Sequence, residues 1–303
     1  ELSGLAVVDD AVWGIADGGR RIDLYQLDPD SCRIIGSRRV AIDPYDVEDL
    51  AVGPDGALWV ADIGDNARRR DHVAVVVVPS EGSPRLHRLS YPNGAHDAEA
   101  LLVDDQGVPY VITKEAIGPA QVFRTVGPPE GVGPTPLVHA GSLALPESDT
   151  SGGPIGSIGS RMITGAAATP DKSVIAVRTY TDAWIFPVPN GDLVAALAGT
   201  PVRVPLPGEP QGEAVAFTAD GTLLSGSEAR RGVAGELRAV PNAATVAEAP
   251  TAQSDTSTAA PAPAASQRDE VPSWLPAAIG VAVVSVILLL AAALAALRRR
   301  SGG

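Results

Sequence analysis

Short apolar runs of strand length, one start motif repeated at near-constant spacing, and 32 Gly with 27 Pro predict an all-β fold, a β-propeller. ALWVAD at 57–62, HVAVVVVP at 72–79, VPYVIT at 108–113 and SVIAVRT at 173–179 are β-branched runs bounded by turn residues. No stretch before residue 243 keeps a helical apolar period for three turns, and Leu193–Leu197 is at most one short helical turn. The repeat selects the architecture. SGLAVVDDA at 3–11, EDLAVGPDG at 48–56, EALLVDDQG at 99–107, TGAAATPDK at 164–172 and EAVAFTADG at 213–221 each run from a polar residue through a small-apolar strand into an Asp-containing turn. Their leading residues, Ser3, Glu48, Glu99, Thr164 and Glu213, are 45, 51, 65 and 49 positions apart. A four-stranded blade takes about 40–50 residues. In the second unit the strands fall at 48–53, 57–62, 72–79 and 85–90. Five blades are recognisable. The 65-residue gap has room for a sixth, although Gly131–Arg161 reads better as a long loop. A β-sandwich is the competing architecture. The last unit is short, and a strand upstream of Glu1 would complete the ring.

The propeller is assigned to residues 1–242 and an Ala/Pro/Ser/Thr-rich tether to 243–273. A transmembrane helix follows at 274–297, then a basic cytoplasmic tail at 298–303. Ala277–Leu297 is a run of 21 residues without a charge, the length a helix needs to cross about 30 Å of hydrocarbon. Trp274 precedes it and Arg298, Arg299 and Arg300 follow, which puts the C-terminus in the cytoplasm and the propeller outside. That orientation implies an export signal, expected to have been removed before Glu1.

A net charge of −13 excludes a nucleic-acid partner. Cys32 stands alone, which excludes an intrachain disulfide or a multi-Cys metal site, and it is expected to be inert in its turn. His72, His87, His96 and His139 make no HExxH spacing, and no GxSxG elbow or Walker loop occurs. Lysine occurs only at Lys114 and Lys172.

In an antiparallel blade the start of the first strand lies beside the end of the second. Glu48, Glu99 and Glu213 are therefore expected at one channel mouth with Asp17, Asp62, Lys114, Arg178 and Glu228. Asp65 and Asn66 of ADIGDN add oxygen donors. The set Glu48, Asp62, Asp65, Asn66, Glu99 and Glu213 suits Ca²⁺. The alternative is structural: Lys114, Arg178 and Arg68–Arg70 pair with these acids, and turn aspartates bond their own backbone. His96, beside Asp97, is the candidate general base, or simply a turn histidine.

VEDLAVGPDGALWVADIGDNARRR at 47–70, YPNGAHDAEALLVDDQGVPYVITKE at 91–115, TGAAATPD at 164–171 and QGEAVAFTADG at 211–221 carry a resemblance. Over about residues 1–240 the chain resembles secreted or membrane-anchored propeller proteins of actinobacteria, and more loosely gluconolactonase-like and esterase-like-phytase propellers. The lactonase-like resemblance implies calcium held by carboxylates at the channel mouth. The chain departs from it at Ala167, where an acid is expected, and in IADGGRR at 15–21.

Two functions are carried forward. The first is a non-catalytic extracytoplasmic module that binds an envelope protein or serves as accessory subunit of a membrane-protein complex. The alternative is a calcium-dependent envelope hydrolase of lactones, esters or phosphoesters. Small-ligand sensing lies between them.

Overall fold

The structure is a computed structural model that describes residues 2–247. The predicted transmembrane helix, the tail and the tether beyond residue 247 lie outside the described residues. Among those described, no helix is long and apolar enough to cross a membrane.

Five sheets follow one another along the chain. The first holds β1 (Gly4–Val8), β2 (Ala11–Ile15), β3 (Ile22–Leu27) and β4 (Ile34–Val40). The second holds β5 (Val47–Val52), β6 (Leu58–Asp62), β7 (Val73–Val78) and β8 (Arg85–Ser90). The third is built from β9 (Ala98–Val103), β10 (Pro109–Thr113), β11 (Ala120–Arg124) and β13 (Val138–Leu143), while β12 (Thr135–Pro136) adds to β8 in parallel. The fourth comprises β14 (Ile163–Ala168), β15 (Val174–Thr179), β16 (Asp182–Pro187) and β17 (Val202–Pro205), with the short helix α1 (Leu193–Leu197) between the last two. The fifth has three strands, β18 (Gly212–Phe217), β19 (Leu223–Ser227) and β20 (Glu236–Val240). The first strands pack against one another in the order β1, β5, β9, β14, β18 and back to β1, so the five blades close into a ring.

Small side chains allow this crowding at the axis. A Cβ at Gly4 would overlap the Leu50 backbone, so β1 and β5 approach this closely only with glycine there. Further out, an apolar cluster fills each interface between neighbouring blades. Burial of these aliphatic faces is the main stabilising contribution.

Two expectations are corrected. Gly131–Arg161 is not all loop: β12 and β13 lie within it, and β13 is the outer strand of blade three, paired with β11. Its polar VHAGSL sequence suits a half-exposed edge and hides it from an apolar-run criterion. No sixth blade occupies the gap. Residues 243–247, which the tether was expected to include, pack on the fold instead: Ala243 is buried and Ala244, Val246 and Ala247 lie on the interface of blades four and five.

The seam between blades five and one is the thinnest. Its cluster has five buried residues, Leu5, Val12, Ala214, Ala216 and Leu224, against 18 between blades three and four. Local opening is easiest where least apolar surface is buried. Amide hydrogen exchange is expected to be faster in β1, β2, β19 and β20 than in β9, β10, β14 and β15. Uniform protection around the ring would contradict this.

Candidate functional site

Four of the five inner strand pairs have the same irregularity at one mouth of the channel; the β1–β2 pair runs without one. Val47 pairs with Asp62 and Asp49 with Ala61, leaving Glu48 unpaired. Ala98 pairs with Thr113 and Ala100 with Ile112, leaving out Glu99. The ladders of β14 and β18 skip Thr164 and Glu213 in the same way. A bulge residue is freed from the ladder and its side chain is re-aimed. Four of the five predicted leading residues are therefore bulges around one opening.

Glu99 and Glu213 are buried and Glu48 half-buried. Lys114, just after β10, ion-pairs with Glu99 through Oε1 and lies 4.9 Å from the centre of the Tyr180 ring. Gln211 donates to Glu213 Oε1 and Glu228 Oε2, both at 2.8 Å, and Arg230 donates to Gln211 Oε1 at 2.6 Å.

Burial and the neighbouring Glu99 and Asp46 charges push the Glu48 carboxyl up to about 10. Burial raises Glu99 to about 7, with Lys114 opposing. Glu213 is held well above the usual carboxylate range by burial and then by Glu99. Burial would lower Lys114, but Glu99, Tyr180 and Glu213 reverse this and raise it. Tyr180 is raised to about 12 by burial and by Glu213. Near neutral pH Glu48 thus keeps its proton beside the Lys114–Glu99 pair and the Tyr180 phenol.

The six predicted calcium donors do not come together as one set. Asp62 Oδ1 accepts from Tyr45 N at 3.2 Å and Asp46 N at 2.9 Å, and pairs with Arg70 at 3.0 Å. Asp65 Oδ2 accepts from Arg69 N and Arg70 N at 2.6 and 2.7 Å, which is the self-bonded turn of the structural alternative. Asn66 is exposed. Among the described residues no three His, Cys, Asp or Glu side chains are arranged to hold a metal ion. The ammonium of Lys114 supplies the counter-charge of Glu99, while Asp65 Oδ1 is buried without a hydrogen-bond partner among the described residues.

His96 is likewise outside the cluster. It packs against Tyr91 and Phe123, with ring centroids 4.9 and 5.0 Å away, and its Nε2 meets Asn93 Oδ1 at 2.9 Å. Burial lowers its pKa, and the charges acting on it are Glu115, Arg68 and His139. Cys32 is exposed and free.

Three important residues escaped the sequence reading. Tyr180 and Gln211 reach the mouth through tertiary packing alone. Asp49 is fully buried on the axis, where its carboxylate accepts from Leu50 N, Leu101 N and Ala166 N at 2.8, 2.9 and 3.1 Å. It ties blades two, three and four together. An acid inside the small-apolar run EDLAV was the available signal.

No protein-family model matches the chain, and no curated protein matches it by sequence. Among solved structures it is similar to a gluconolactonase from Xanthomonas campestris at 16% identity and TM-score 0.44, over 79% of this chain and 72% of that one. It is similar to a protein of unknown function from Desulfotomaculum acetoxidans at 13% identity and TM-score 0.40, over 80% and 68% of the two chains. A third is hydrazine synthase of Kuenenia stuttgartiensis, at 14% identity and TM-score 0.39, over 79% and 66%.

Proposed function

We propose that the chain is a hydrolase of neutral esters or lactones, working by acid–base chemistry of its own side chains at the glutamate mouth. The observation that carries this reading is the convergence of Glu48, Glu99, Glu213, Lys114 and Tyr180 in a buried site with displaced proton affinities. Burying such groups costs several kcal/mol per ion in effective desolvation. Aliphatic residues would line the mouth at lower cost. Clustered ionisable groups with shifted pKa values mark reactive sites.

In this scheme Glu99, poised near neutrality, takes a proton from water through the oxygen that Lys114 leaves free. The hydroxide attacks the carbonyl carbon, and Lys114 and Tyr180 donate to the developing oxyanion. As the ester C–O bond breaks, Glu48 gives its proton to the leaving alkoxide, leaving an acid and an alcohol. The surplus of carboxyls over cations disfavours anionic phosphoesters. Chromogenic esters and simple lactones are the test substrates. Glu99→Gln is expected to lower kcat about 10²–10⁴-fold. The pH–rate profile should rise through about 7 and fall toward about 10. Rates unchanged in both Glu99→Gln and Glu48→Gln would overturn the scheme; activity that depends on added calcium would return the calcium hydrolase.

Glu48 also predicts a stability effect. Its folded pKa of about 10 lies above the ordinary 4.5, so folding takes up a proton and this group's contribution is lost as pH rises between those values. Glu48→Gln is expected to stabilise the fold by about 1–3 kcal/mol at about pH 8 and by nearly nothing at about pH 4. Urea denaturation at the two pH values checks it.

The partner-binding reading has its own support. Tyr45, Ile117, Ile155, Ile158 and Val233 are exposed on loops at this same end of the ring. An apolar crown around a polar mouth suits a protein surface. Ala277–Leu297 and the three arginines after it support display outside a membrane. Co-purification of an envelope protein that Tyr45→Glu and Ile117→Glu abolish is the expected result, and unchanged capture by both variants would remove this reading.

A further inference from the structure

The opposite mouth of the channel is built differently. The last residues of the five inner strands, Val8, Val52, Val103, Ala168 and Phe217, wall a cavity of about 530 Å³. Ligand sites of this kind are apolar hollows of roughly 300–1,000 Å³ with a few polar groups at defined places. Here the polar groups stand on the hairpin turns that lead out of the inner strands. They are Asp9 and Asp10, Asp55, Asp105, and one cation, Lys172. Lys172 Nζ donates to the Val52 carbonyl on the cavity wall at 2.8 Å, and the Asp105 and Asp104 charges act on it. Among the described residues, none of the four carboxylates accepts a hydrogen bond or ion-pairs within 4.0 Å. Other turn aspartates of this chain are engaged: Asp104, Asp171 and Asp220 all accept from their own turns. A hollow walled by apolar strand ends and rimmed by four acids against one lysine carries a net negative charge, which complements a ligand of opposite charge with an apolar body.

We propose that this cavity binds an organic cation, an ammonium group on an aryl or alkyl chain. Its apolar part lies against the five strand ends, and its charge lies among Asp9, Asp10, Asp55 and Asp105. The site is separate from the glutamate mouth. Four or five residues of extended strand lie between the two, roughly 13–17 Å.

Three probes of one shape test it by calorimetry: 4-phenylbutylammonium, 4-phenylbutanol and 4-phenylbutyrate. The ammonium is expected to bind saturably and about tenfold more tightly than the alcohol, with the carboxylate weakest. Asp9→Asn, Asp10→Asn, Asp55→Asn and Asp105→Asn combined should erase the preference for the ammonium while the alcohol still binds. Asp9, Asp10 and Asp55 have φ of 50, 62 and 56°, a left-handed conformation that Asn accepts readily, so the backbone is not strained by the exchange. Ala168→Phe narrows the hollow and should weaken all three probes. If that variant does not fold, the charge variant decides alone. Glu48→Gln and Glu99→Gln should leave the binding unchanged. Equal affinity for alcohol and ammonium, a preference that survives the four substitutions, loss of binding in Glu48→Gln or Glu99→Gln, or no saturable binding at all would each overturn the proposal.

Discussion

Replacing Arg178 by methionine is expected to cost the fold about 3–5 kcal/mol, because it leaves a buried carboxylate without its counter-charge. Arg178 lies on β15 with no exposed surface, and its Nη2 pairs with Glu209, which is also fully buried. Gly212 lies against the guanidinium, where a Cβ would overlap it, so blade five is fitted around this side chain. Glu209 keeps a bond from Ser225 Oγ at 2.9 Å and has Arg238 Nε at 3.8 Å, which offset only part of the loss. The discriminating measurement is the double variant Arg178→Met with Glu209→Leu. Removing both charges should recover most of the stability, to within about 1–2 kcal/mol of the parent. Arg178→Lys should fall between, since a point charge on a different stem does not reproduce the planar fork. Guanidinium denaturation of the four proteins checks it; equal losses in single and double variants would show that shape, not charge, matters there.

Asp49→Ala is the second large effect, about 3–5 kcal/mol, since it strips the acceptor from three backbone N–H groups and buried unpaired donors cost about 1–3 kcal/mol each. These donors belong to Leu50, Leu101 and Ala166, so the loss falls on three blades at once and should lower the cooperativity of unfolding as well as its midpoint. Asp49→Asn keeps one acceptor oxygen and should lose about 1–2 kcal/mol. Burial raises the Asp49 carboxyl to about 7, against the opposing pull of the three N–H groups. The folded value lies above the ordinary 3.8, so the proton-linked advantage of aspartate over asparagine is full at low pH and fades as pH rises through about 7. A gap between the two proteins that widens with pH would contradict this.

The strand pattern was legible because the axis of a propeller accepts only small residues. SGLAVV, EDLAV, EALLV, TGAAA and EAVAF announce the inner strands at once. The outer strand of blade three was not legible, since an edge that faces water need not alternate. Glu48, Glu99, Glu213 and Lys114 were found together because antiparallel pairing fixes which strand ends are neighbours. Asp62 and Asp65 were placed at the right end of the blade, but their partners are local main-chain groups and Arg70, and no spacing rule separates a ligand from a turn aspartate. His96 went astray for a similar reason. Adjacency to Asp97 in sequence says nothing about which way a loop side chain turns. The Arg178–Glu209 pair joins positions from two blades, and only the packed ring reveals it.

The bulges at Glu48, Glu99, Thr164 and Glu213 separate the chemistry of the opening from the architecture of the ring. A residue outside the ladder contributes no cross-strand pairing, so its side chain can be exchanged while the sheet stays as it was. Evolution, or an engineer, has four interchangeable sockets around a fixed frame, and a new specificity there needs no new fold.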